Sequence, residues 1–108
     1  MKPTYFELGV PDEAQAQSFF AALFGWDYTA MDEGGWFDAG GLRVGLHGKD
    51  DRPALVVYFE VPDIEAAVAK VRALGGTAHA PTAAVPDFGR FSNCTDPQGV
   101  HFGLRQVS

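Results

Sequence analysis

Phe6-Glu7-Leu8-Gly9-Val10-Pro11-Asp12 and Phe59-Glu60-Val61-Pro62-Asp63 are two versions of one motif. Each is a β-rich run closed by Pro-Asp, and each leads into an alanine-rich stretch with helical spacing. The stretches end alike, at Leu23-Phe24-Gly25 and Leu74-Gly75-Gly76. Further on, Gly40-Gly41-Leu42-Arg43-Val44-Gly45-Leu46 is echoed by Gly99-Val100-His101-Phe102-Gly103-Leu104. The chain therefore reads as two copies of one unit, 1–52 and 53–108, divided at the polar stretch Gly48 to Pro53.

Each unit reads as strand, helix and three strands. Asp12 and Asp63 are N-caps, because a carboxylate accepts from the unpaired N–H groups of a helix's first turn. After Asp12, Ala16, Phe19, Phe20, Leu23 and Phe24 fall at helical spacing; after Asp63, Ile64, Ala67, Val68, Val71 and Leu74 do the same. Gly25 and Gly75-Gly76 are stops, where a left-handed backbone costs glycine little. Strands are expected at about 27–31, 36–39 and 42–47 in the first unit, and at about 77–80, 90–94 and 100–105 in the second. Asp96-Pro97-Gln98-Gly99 is a tight turn. Pro81 to Gly89 is the one long loop and a candidate lid.

Strand alternation separates two faces. Phe6, Leu8 and Val10 oppose Tyr5, Glu7 and Gly9. Leu42, Val44 and Leu46 oppose Arg43, Gly45 and His47. Val57, Phe59 and Val61 oppose Val56, Tyr58 and Glu60. Val100, Phe102 and Leu104 oppose His101, Gly103 and Arg105. The apolar faces should pack beneath the helices. The mixed faces either meet water or line a pocket. Gly45 and Gly103 occupy corresponding places there and open room where a side chain would stand, which favours a pocket. Tyr5, Glu7, Trp36, Arg43, His47, Tyr58, Phe88, His101 and Gly103 are the candidate ligand-binding residues.

Composition narrows the function classes. The chain has 108 residues, 46% hydrophobic and 20% charged, which suits a globular domain and not a disordered tail. No apolar run reaches the roughly 18 to 20 residues of a membrane span. Met1 to Tyr5 opens no signal peptide, so a cytoplasmic location is expected. A net charge of −6 disfavours nucleic acid and suits a neutral or cationic small ligand. The single Cys94 excludes an internal disulfide and a multi-cysteine zinc site, and without a catalytic Cys-His-Asn spacing it reads as a buried thiol. Trp26 reads as core and Trp36 as a wall on which a flat ligand stacks. Phe88 and Phe91 either close over a ligand or pin the loop. His79 is expected to be exposed. No Gly-Lys-Ser/Thr follows the glycine pairs, so they form no phosphate loop.

The ordered motifs Phe6 to Asp12, Phe19-Phe20, Leu23-Phe24-Gly25-Trp26, Val61-Pro62-Asp63-Ile64-Glu65-Ala66-Ala67 and Asp96 to Leu104 resemble the vicinal-oxygen-chelate superfamily, the glyoxalase, bleomycin-resistance and extradiol-dioxygenase fold. The resemblance covers the whole chain. It implies an α+β fold of paired βαβββ modules, with curved mixed sheets around a cavity, helices outside, and a homodimer. It also implies divalent-metal ligands, His or Glu, on the first and last strand of each module. Carried over by position, these fall on Tyr5, Gly45, Val56 and Gly103. Glycine and valine offer no lone pair, and Tyr5 alone makes a poor site. The expected cofactor is therefore none, with a divalent metal as the alternative.

Three functions are weighed. The first is a metal-independent small-molecule binding protein resembling the antibiotic-sequestering, bleomycin-resistance type, with Tyr5, Tyr58 and Trp36 stacking on a planar or cationic ligand. The second is a glyoxalase-like lyase, isomerase or dioxygenase, using a relocated metal or an acid–base pair such as Glu7 with His101. The third is an interaction module whose sheets serve to dimerise. If Glu7 is enclosed, Arg43, Arg105 or Tyr58 should satisfy its carboxylate.

Overall fold

A computed structural model describes residues 1–107. It contains two compact units, Thr4–Val56 and the chain from Val57 onward together with Met1–Pro3. The N-terminal residues are tied to the second of these, where the Glu60 N–H donates to the Lys2 carbonyl at 2.9 Å.

The first unit holds β1 (Pro3–Gly9), α1 (Glu13–Phe24), β2 (Asp27–Ala30), β3 (Gly35–Asp38) and β4 (Arg43–His47). Its strands are ordered β2-β3-β4-β1, with β1 parallel to β4 and the other pairs antiparallel. The second unit holds β5 (Ala54–Glu60), α2 (Ile64–Ala73), β6 (Thr77–Ala78), β7 (Arg90–Thr95) and β8 (His101–Gln106), ordered β5-β8-β7-β6. Here β5 runs parallel to β8. The same element order and the same parallel pairing recur, so the repeat in the sequence is a repeat in the fold, and the chain is α+β.

Local chemistry sets the boundaries. Asp12 Oδ1 accepts from Gln15 N, and Asp63 Oδ1 accepts from Ala66 N, each at 3.1 Å. Gly25 closes α1 in the left-handed region at φ 69°, its N–H donating to the Ala21 carbonyl. Asp96 Oδ1 accepts from both Gln98 N and Val100 N, which fixes the turn into β8. The turn holds Val100 outside the strand and exposed, whereas alternation had put it on the apolar face.

Each unit has its own core. Phe37, Val44, Leu46 and Ala16 are buried with Phe6, Leu8, Val10, Phe20 and Trp26 around them. Val61, Ile64, Val68, Cys94 and Leu104 form the other cluster. Full burial of one such large side chain contributes about 1.5 to 3 kcal/mol. The helical stripe of α1 is wider than its contact with the sheet. Phe19, Leu23 and Phe24 remain 58%, 58% and 53% exposed, because Ala16, Phe20 and Ala21 take the covered arc. Among the described residues no helix is long and apolar enough to cross a membrane.

Candidate functional site

In the first unit, register brings five of the nine candidate residues to one sheet face. Tyr5 lies opposite Arg43, Glu7 opposite Gly45, and Gly9 opposite His47 along β1 and β4. Across the next ladder Trp36 faces Gly45. Opposed residues share a face, so Tyr5, Glu7, Trp36, Arg43 and His47 are neighbours there.

Four side chains on this face form one hydrogen-bonded chain. The Tyr5 hydroxyl donates to Glu7 Oε1 at 2.5 Å, and His47 Nδ1 meets Glu7 Oε2 at 2.5 Å. His47 Nε2 meets Asp50 Oδ2 at 2.8 Å. A neutral imidazole has one N–H and would turn a lone pair toward one of the carboxylates. Both contacts are satisfied only by the imidazolium. Burial pulls the His47 ring down, but hydrogen bonds and charge from Glu7 and Asp50 outweigh it and hold the ring above its ordinary value. Both Glu7 oxygens and both His47 nitrogens are thus engaged.

Two glycines make the arrangement possible. A Cβ at Gly45 would meet the Tyr5 hydroxyl and Glu7 Oε1, and a Cβ at Gly9 would meet Asp50 and stand 2.7 Å from His47 Nε2. The room beside Gly45 is therefore occupied by the chain's own side chains. Beside the network, the Arg43 guanidinium carbon lies 3.9 Å from the Trp36 ring centroid, a cation–π stack.

The second unit repeats the register with different contents. Tyr58 lies opposite Gly103, as Glu7 does opposite Gly45. A Cβ on Gly103 would enter the Tyr58 ring, 2.6 Å from its Cγ. Gly103 was expected to open room for a ligand; it seats the Tyr58 ring instead. The Tyr58 hydroxyl donates to Asn93 Oδ1 at 2.5 Å. Phe88 and Phe91 meet the Tyr58 ring edge-on at 5.9 and 6.1 Å between centroids. An Arg105 N–H donates to the Phe88 carbonyl at 2.8 Å, and its guanidinium lies over the Phe88 ring. The 81–89 loop is further fastened where Arg90 Nε donates to the Thr82 carbonyl and Arg90 pairs with Glu65. Phe88 and Phe91 pin this loop. His101 lies on the same face and is exposed, as is His79.

Several expectations change. The partners of Glu7 are Tyr5 and His47, not Arg43, Arg105 or Tyr58. Its imidazole partner is His47 rather than His101. Asp50 and Asn93 escaped the sequence reading; the only trace of Asp50 is its place three residues after His47. Cys94 is buried, and burial pushes its thiol up, which makes it a poor nucleophile. A shallow surface cavity in the second unit, bordered by Lys2, Glu60, Pro62 and Gln106, contains none of the candidate residues.

The positions at which the resemblance implies metal ligands do not supply a donor set. Gly45, Val56 and Gly103 carry no donor atom, and the Tyr5 hydroxyl is bonded to Glu7. Among the described residues no group of three or more His, Cys, Asp or Glu side chains is placed to hold a metal ion.

A family model described as a glyoxalase-like domain matches residues 5–105. The chain is 30% identical over 122 aligned positions to CFP32 of Mycobacterium tuberculosis, provisionally named a glyoxylase, in a match covering 98% of this chain and 46% of that protein. It is 30% identical over 125 positions to the anthracycline biosynthesis protein DnrV of Streptomyces peucetius, covering 94% and 46%. The chain thus spans about half the length of these relatives. A variant of homoprotocatechuate 2,3-dioxygenase from B. fuscum superposes with a TM-score of 0.81 at 19% identity, over 100% of this chain and 32% of that one, a likeness of fold. On the match of residues 5–105 to its model, the chain belongs to the glyoxalase-like domain family.

Proposed function

We propose that the chain is a metal-independent small-molecule binding module of the sequestering kind, holding a planar aromatic ligand against Trp36 on the first unit's polar face. The observation that carries this reading is the self-saturation of the Tyr5–Glu7–His47–Asp50 network. A general base needs a free lone pair within reach of the substrate's proton, and a metal ligand needs one aimed at the ion. His47 has neither while both its nitrogens donate. The network instead builds a polar floor, and Trp36 supplies the aromatic surface beside it, with the Arg43 cation over its ring. Aromatic stacking on such a surface gives affinity, and a few fixed polar groups give orientation. The relative named for anthracycline biosynthesis supports a ligand class of fused, planar rings.

The test is a fluorescence titration with an anthraquinone and a matched saturated ring system, in EDTA. The reading expects saturable binding of the planar compound only, unchanged by the chelator and lost in Trp36→Leu. Binding that needs an added metal, or that survives Trp36→Leu unchanged, would overturn it and favour a glyoxalase-like lyase, isomerase or dioxygenase.

A further inference from the structure

Asp38 and Arg43 stand directly opposite one another on the antiparallel β3–β4 pair. Opposite charges so placed ordinarily pair across the strands. Here they do not. Asp38 Oδ1 accepts from Gly41 N at 2.9 Å and closes the turn between the strands, while the Arg43 guanidinium carbon lies over the Trp36 ring. Among the described residues no carboxylate lies within salt-bridge distance of Arg43. Its other cross-strand neighbour is Tyr5, whose hydroxyl is committed to Glu7. The nearby carboxylate of Glu7 has both oxygens engaged, by Tyr5 and His47. This face thus presents an exposed guanidinium over the indole, with no carboxylate paired to it among the described residues.

From this juxtaposition we propose that Arg43 is an oxyanion-binding residue, and that the ligand is a planar aromatic carboxylate rather than a cation. The inference rests on the Trp36 platform proposed above and adds the polar group the ligand carries. A guanidinium already stacked has lost much of the freedom it would otherwise give up on binding. A carboxylate takes two parallel N–H donors from one guanidinium, and the nearness of Arg43 to Trp36 sets the attached ring beside the indole. The cationic ligand suggested by the net charge of −6 would meet Arg43 first.

Calorimetric titration of the full chain with naphthoate, its neutral amide and a naphthyl trimethylammonium cation tests this. Naphthoate should bind tightest. Arg43→Gln should weaken naphthoate about ten- to a hundredfold, the range expected for a charge-assisted pair, and weaken the amide far less. Arg43→Lys should restore part of the difference. Circular dichroism would verify that the variants keep their fold, and Trp36→Leu should weaken all three probes. Equal binding of naphthoate and the amide, or tightest binding of the cation, would overturn the oxyanion assignment and leave the platform standing. No binding of any probe would overturn both.

Discussion

Replacing Gly103 with alanine should cost far more than a surface glycine-to-alanine change. The position lies on β8, directly opposite Tyr58, and an added Cβ would enter the Tyr58 ring. The ring cannot retreat freely, since its hydroxyl is bonded to Asn93 and its edges are packed by Phe88 and Phe91. Overpacking of this kind costs about 1 to 3 kcal/mol. Loss of the Tyr58–Asn93 hydrogen bond adds about 1 kcal/mol. The sum is about 2 to 4 kcal/mol, or roughly 10 to 20 °C in Tm for a chain of this size. Urea unfolding of Gly103→Ala, Tyr58→Ala and the double variant would measure it. In the Tyr58→Ala background the added methyl meets no ring, so the two changes should couple by at least about 1 kcal/mol. A Gly103→Ala protein within about 0.5 kcal/mol of the parent, with additive changes, would show that Tyr58 does not sit over Gly103 and would restore that glycine as open room.

Three further outcomes follow from named contacts. Asp12→Ala removes the α1 N-cap and should cost about 1 kcal/mol in denaturant unfolding; no loss would misplace the helix start. His47 titrates above its ordinary value in the folded chain, so its stabilisation is full below the unfolded value of about 6.5 and is lost as pH rises through the folded one. Stability should therefore decline over that window in the parent and not in His47→Ala, while a ring titration midpoint at or below the ordinary value would refute the imidazolium bridge. Cys94 should resist a thiol reagent in the native protein and react fully in denaturant; rapid native labelling would contradict its burial.

Much of the fold was legible because its signals are local. Asp12, Asp63 and Gly25 mark boundaries through backbone groups only a few residues away. Alternation put Tyr5 with Glu7, and Arg43 with His47, because a side chain's face depends only on its own strand. What alternation does not carry is register between strands forty residues apart. The pairing of Glu7 with Gly45, and hence the reach of His47 to Glu7, follows from the parallel β1–β4 ladder. The glycines misled for the same reason. An absent side chain at Gly45 or Gly103 makes room, but only the register shows that Tyr5, Glu7 and Tyr58 fill it. In α1, periodicity found the apolar arc without showing how much of it the sheet covers, and Phe19, Leu23 and Phe24 stayed outside.

We propose that this glyoxalase-like fold works without a bound metal. Elemental analysis of the protein after anaerobic incubation with nickel, zinc, manganese, iron and magnesium salts, followed by desalting, tests it most directly. No ion should be retained in stoichiometric amount, with Glu7→Gln and His47→Ala no different from the parent. One equivalent of a single metal, lost in those variants, would contradict it and make the Glu7–His47–Asp50 cluster a metal centre.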